Sequence, residues 1–176
     1  MSSPINLLTS APRLVVTGHN AEGLAIFKAD HTIEPFLPLG PKGSSFVLFD
    51  ERSPIPASNT EDVVQRHNAI PRAPSAGVNF CIANYPPGVN VPMHRTLSRD
   101  WCVIMSGEIV VALDNGEEKT LKEGDFFIQA GTNHSWHNRT DKVCRVAFMC
   151  MPSEKVKLEN GTELEERLPQ LPVKSS

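Results

Sequence analysis

Two histidines and an aspartate are the residues of this sequence best placed to do chemistry. His94 lies in the run Val91 to Thr96, Asp100 follows six residues later, and His134 arrives from a separate run further on. Side chains alternate faces along a strand, so Pro92, His94 and Thr96 share a direction. Two imidazoles and a carboxylate from different strands, converging inside a small barrel, suit a divalent metal with positions left for water or substrate. Zinc, iron and manganese all accept such ligands. The same three groups can also work without metal, the histidines as acid and base tuned by the carboxylate. Thr96, Gln129 and Trp136 are the candidate substrate-binding residues. Thr96 can accept a hydrogen bond from a bound water, Gln129 can point its amide into a pocket, and Trp136 shares the His134 face. Each has a plainer alternative. The histidines can be hydrogen-bonded interior residues, Asp100 can pair with Arg95 or Arg99, Gln129 can cap a loop, and Thr96 and Trp136 can fill space. His137 falls on the face opposite Trp136 and reads as a surface residue. His19, His31 and His67 lie in loop-like segments without a motif.

The elements that must position these groups are short strands. Asn79 to Tyr85, Val91 to Thr96, Asp100 to Met105, Glu108 to Leu113, Lys119 to Leu121, Phe126 to Gln129, His134 to Asn138 and Cys144 to Met151 alternate with turn signals. Asp114-Asn115-Gly116 is the strongest of these signals, because Asn-Gly tolerates the positive φ of a tight hairpin. Such a row implies an all-β sandwich or barrel. Twelve of the fifteen prolines precede Met93 and none falls between Met93 and Met151, so the second half can form an uninterrupted sheet. Before it, Arg13 to Thr17 and Leu24 to Lys28 read as a hairpin and Ser45 to Phe49 as a further strand. Residues 1 to 12 read as loose. Pro54 to Pro74 is irregular, with one helical turn expected near Glu61 to Val64. A short surface helix is expected over Thr162 to Leu168. The chain divides into N-terminal strands and loops (1–60), the barrel (61–151) and a charged tail (152–176).

A length of 176 residues sets one domain with modest extensions. The net charge of −3 and the lack of a cationic face give no electrostatic footprint for nucleic acid. The longest apolar run, Val146 to Met151, is far too short to span a bilayer, so no membrane partner is expected. The opening Met1-Ser2-Ser3-Pro4 has no basic flank leading into an apolar region, and a cytoplasmic protein is expected. Cys81, Cys102, Cys144 and Cys150 sit mostly in apolar runs and read as buried thiols. There is no Gly-x-Ser-x-Gly elbow and no phosphate-binding glycine loop.

Gly88, His94, Thr96, Asp100 and Gly107 fall on the landmarks of the first cupin motif. Gly124-Asp125, Ala130-Gly131, His134 and Asn138 follow the second, with its loop one residue shorter. The sequence therefore resembles the cupin family, firmly over residues 79 to 151. The segment Arg13 to His19 and the block Met93 to Asp100 are similar to a branch that reads VTGH near its start, HRTxSxDY in motif one and QRGTxHAWRN in motif two. Fungal members of that branch look like tailoring enzymes of polyketide pathways. The resemblance implies a double-stranded β-helix, a pocket at one mouth and a homodimer. Two departures stand out. Thr96 replaces the second histidine and Asp100 the longer glutamate of motif one, leaving His94, Asp100 and His134 as the ligand set. Ala130 stands where the branch carries an arginine able to hold a substrate carboxylate.

The expected function is a small-molecule tailoring enzyme, metal-assisted, that dehydrates, isomerises or decarboxylates an oxygenated, polyketide-like metabolite. A ferrous-iron oxidoreductase or dioxygenase, a metal-free acid–base enzyme and a non-catalytic ligand-binding cupin are the alternatives. In the expected homodimer, unpaired strands of the N-terminal part extend or cover the partner's sheet.

Overall fold

The computed structural model describes residues 6–65 and 68–169. His67 lies outside the described residues. Eleven strands form in chain order: β1 (Arg13–His19), β2 (Ala25–Thr32), β3 (Ser45–Arg52), β4 (Val78–Tyr85), β5 (Asn90–His94), β6 (Ser98–Ser106), β7 (Glu108–Leu113), β8 (Glu118–Lys122), β9 (Phe126–Ala130), β10 (His134–His137) and β11 (Cys144–Pro152). No helix forms among the described residues. None is therefore long and apolar enough to cross a membrane.

Two antiparallel sheets face each other, one ordered β5-β10-β7-β8 and the other β3-β4-β11-β6-β9, and β1-β2 make a separate hairpin. This is an all-β double-stranded β-helix. The core between the sheets follows from period-two alternation. Ala83, Tyr85, Cys102, Ile104, Val146 and Trp136 point inward, joined by Ile109 and Val111. Gly107 makes the tight β6–β7 turn at φ 78°, and a Cβ there would stand 2.8 Å from the Val143 carbonyl oxygen. Only glycine meets both demands. All four cysteines are free and buried.

Neither expected helical turn forms, because the backbone groups find partners elsewhere. Val64 donates its N–H to Asp50 (2.9 Å), while Glu61 and Asp62 pair with Arg52 and Lys28. In the tail, Leu158 and Leu164 bond to Thr162 and Val156, and Arg167 pairs with Arg95 through both backbone groups (2.7 and 2.9 Å). The tail up to residue 169 is thus strapped to the end of β5. The start of the described chain is also tied down, since Arg145 donates to the Leu7 carbonyl at 3.0 Å.

A second apolar cluster lies on the outer face of the five-stranded sheet. Ile33, Val47, Phe49 and Ile82 pack there with Leu14 and Ala147. The N-terminal part covers only the β3-β4-β11 side of this face. On the other side Phe80, Met149, Trp101 and Ile128 line up across four strands in register, and Phe126 is 81% exposed. The hairpin also exposes Val15, Leu24, Ile26 and Phe27. An exposed apolar row of the kind formed by Phe80, Met149, Trp101 and Ile128 marks an interaction surface. Self-association through this face is therefore expected. Light scattering at micromolar concentration should give twice the 19.3 kDa chain mass, and Ile128→Arg should halve it. A monomeric wild type contradicts this.

Candidate active site

Strands β5 and β10 place the two histidines directly opposite each other, since His134 pairs with His94 in the antiparallel register. Their ring centroids are 4.2 Å apart and tilted by 53°. Each ring donates its Nδ1–H to a backbone carbonyl two residues earlier, His94 to Pro92 at 2.8 Å and His134 to Thr132 at 2.9 Å. A carbonyl only accepts, so the proton of each neutral ring sits on Nδ1 and the lone pair on Nε2. Below them, Trp136 is buried in the barrel core, stacked on Tyr85 at 5.8 Å and edge-on to Phe127, Phe148 and His134. It is 3% exposed and packs edge-on against the His134 ring.

Asp100 comes from β6, paired with Gln129 on β9 and Cys150 on β11. Its carboxylate is 6% exposed. One oxygen accepts from Gln129 Nε2 at 2.9 Å, while the other, Oδ1, is buried without a hydrogen-bond partner, as is Gln129 Oε1. Nearby Ser98 spends its hydroxyl proton on Thr96 (2.8 Å). Arg95 makes its side-chain bond to the Glu165 carbonyl. Asp100 therefore keeps an unspent oxygen in a nearly dry site. His137 is half-buried, bonded to Ser135 at 2.8 Å.

Burial sets the electrostatics. It lowers the His134 pKa to about 4, and facing His94 adds to the shift against the opposing Thr132 carbonyl. His94 is also lowered, by burial first, with the Pro92 carbonyl and Asp100 opposing. Burial raises Asp100, partly offset by Ser98, Cys150, Gln129 and His94. The site thus holds two neutral imidazoles and a carboxyl group inclined to keep its proton.

The donor chemistry fits a metal through the two Nε2 atoms. Metal-ligating histidines characteristically donate the other ring N–H to a carbonyl or carboxylate, and both rings here do so. Among the described residues, however, no three His, Cys, Asp or Glu side chains are gathered into one metal-binding group. The structure brings His94 and His134 together, and Asp100 stands beside them tied to Gln129.

Asp100, Thr96 and Ser98 line a cleft of about 90 Å3 whose remaining wall includes Cys150, Arg72 and Glu166. A larger hollow of about 470 Å3, on the other side of the 69–75 loop, holds none of the expected site residues. Arg72 and Glu166 were not anticipated from sequence. One belongs to a proline-rich irregular segment and the other to the tail, and neither carries a motif.

The two-sheet barrel agrees with the comparisons to known proteins. A cupin domain model matches residues 81–151. Phomopsin biosynthesis cluster protein C' of Diaporthe leptostromiformis is 31% identical over 157 residues, covering 84% of this chain and 82% of that protein. The chain belongs to the cupin family. The cupin-domain-containing oxidoreductase fogC of Aspergillus ruber is 28% identical, covering 85% of this chain and 76% of its own length. The Schizosaccharomyces pombe Cnp3 cupin domain shares the fold at a TM-score of 0.53 and 11% identity, over 80% of this cupin and 88% of that domain.

The lowered imidazoles have a consequence for acid stability. Below about pH 6.5 the unfolded chain takes up protons that folded His134 refuses, so stability falls as pH drops from there to about 4. Raised Asp100 acts in the opposite sense, its contribution being complete at low pH and lost as pH rises. For His134 the loss between pH 7 and 5 is roughly 2 kcal/mol. Chelator-treated wild type should lose that much more stability than His134→Gln in denaturant titrations. Equal acid sensitivity of the two contradicts the assignment.

Proposed function

We propose that this cupin is a small-molecule enzyme of secondary metabolism that moves a proton on an oxygenated, polyketide-like metabolite. Dehydration, isomerisation and decarboxylation are the reactions within its reach. The observation that carries this reading is Asp100, buried, raised in pKa and holding one oxygen without a partner beside two neutral imidazoles. A carboxyl group of that kind is suited to give or take a proton. His94 and His134 would hold a divalent cation (zinc, iron or manganese) through Nε2. When bound, that cation supplies Lewis acidity to a substrate oxygen. Gln129 orients Asp100 through its amide, and Thr96 and Ser98 present hydroxyls along the cleft wall. The relatives support the setting, since several are named as biosynthesis cluster proteins.

A second reading takes its support from other relatives, named cupin-domain-containing oxidoreductases. Two histidines and a carboxylate are the protein side of many ferrous-iron oxygenases. The two readings part on dioxygen. Turnover in an anaerobic chamber favours proton transfer, and dioxygen uptake matching product favours oxidation.

Elemental analysis of untagged protein tests the metal. About one equivalent per chain is expected, and His94→Ala and His134→Ala should each lose most of it with near-normal melting curves. Asp100→Asn should keep the metal and lose product formation in a complemented deletion strain. Less than about a tenth of an equivalent after reconstitution leaves the histidines as acid and base without metal. Unchanged product from all three variants would sink the site assignment.

A further inference from the structure

The cleft beside Asp100 is too small for the metabolite it serves. Its volume of about 90 Å3 holds about three waters. Pockets for small metabolites start near ~300 Å3. A ligand larger than that extends past the rim or displaces part of the wall. The β6 and β11 wall is built into the sheet. The opposite wall is the C-terminal strap, held by the Arg95–Arg167 backbone pair and by an ion pair between Arg72 and Glu166.

Among the described residues, Arg72 is the only cationic one lining this cleft. Its backbone is fixed, because Asn79, 1% exposed, donates its side-chain N–H to the Arg72 carbonyl at 2.7 Å. Its guanidinium is free to change partners. The Arg72 and Glu166 side chains are 47% and 35% exposed, and ion pairs so placed contribute little stability. A guanidinium presents parallel donors that match any carboxylate, and one of them, Nη2, donates to Glu166 Oε1 here.

We propose that Arg72 recognises the carboxylate of an organic-acid ligand, with Glu166 as the internal carboxylate that the ligand displaces. The inference rests on the reading that Asp100 marks the reacting end of the site. Release of Glu166 removes one tie on the strap, leaving the Arg95–Arg167 backbone pair and the Arg95–Glu165 bond, and widens the cleft. Asp100 lines the same cleft, and its Oδ1, buried and without a partner, comes within reach of a ligand hydroxyl once the cleft widens. The ligand class is a hydroxylated carboxylic acid.

Salicylate, a small hydroxy acid, is the probe, and methyl salicylate is its uncharged control. Calorimetry on the full chain should show saturable salicylate binding that tightens about five-fold in Glu166→Gln, the scale on which an exposed pair competes. Arg72→Gln should weaken it at least about ten-fold, as expected for loss of a charge-assisted pair. The ester should gain nothing from Glu166→Gln. Amide exchange over residues 156–167 should quicken in wild type when salicylate is added. Equal affinity in wild type and Glu166→Gln, retained binding in Arg72→Gln, or no saturable binding in any of them overturns the proposal. Turnover plays no part in these readouts, so such a failure leaves the proton-transfer reading standing.

Discussion

The pairing of His94 with His134 across β5 and β10 is the contact on which the site depends. Strand side chains alternate with period two, so a slip of one residue would turn either imidazole to the other face. Several features hold the register. Asn138, just past β10, is buried and donates to the Tyr85 and Lys142 carbonyls. Its backbone pairs with Val89 and Gly88 before β5. On its other edge β10 pairs with β7, whose Ile109 to Ala112 is buried throughout. The histidines are thus held by backbone and core, and each ring is oriented by a carbonyl of its own strand or of the loop before it.

Placing polar groups in this interior costs stability. Asp100 Oδ1 and Gln129 Oε1 lack partners, and an unsatisfied buried polar atom typically costs about 1–3 kcal/mol. Both belong to one hydrogen-bonded pair at the cleft, and the apolar core lies beneath it. The Trp136 cluster of Tyr85, Phe127 and Phe148 offsets part of that cost through dense aromatic packing. The barrel tolerates a poorly satisfied polar site because the layer below it is dry and well packed.

Much of this was legible in the sequence. Strands β4 to β11 lie close to their expected places, since turn residues and apolar alternation act locally. The His94–His134 neighbourhood was legible because glycine-bounded strands of fixed length leave few ways to close a barrel. The helical turn expected near Glu61 failed because the Val64 N–H bonds to remote Asp50, and that near Thr162 because Leu158 and Leu164 pair with Thr162 and Val156 in a bend that Arg167 ties to remote Arg95, a contact local propensity cannot register. Arg72 and Glu166 were invisible for the same reason, since 94 residues separate them and no pattern links them. Trp136 shows the limit of face assignment. Its strand face was readable, but whether that face meets a pocket or a core depends on what the opposite sheet supplies.

Ring nitrogen resonances of His94 and His134 test the account most directly. In uniformly 15N-labelled, chelator-treated protein at neutral pH, both rings should be neutral, protonated at Nδ1 and bare at Nε2. His134 should take up its second proton only near pH 4. An imidazolium at neutral pH, or a proton on Nε2 of either ring, would contradict it.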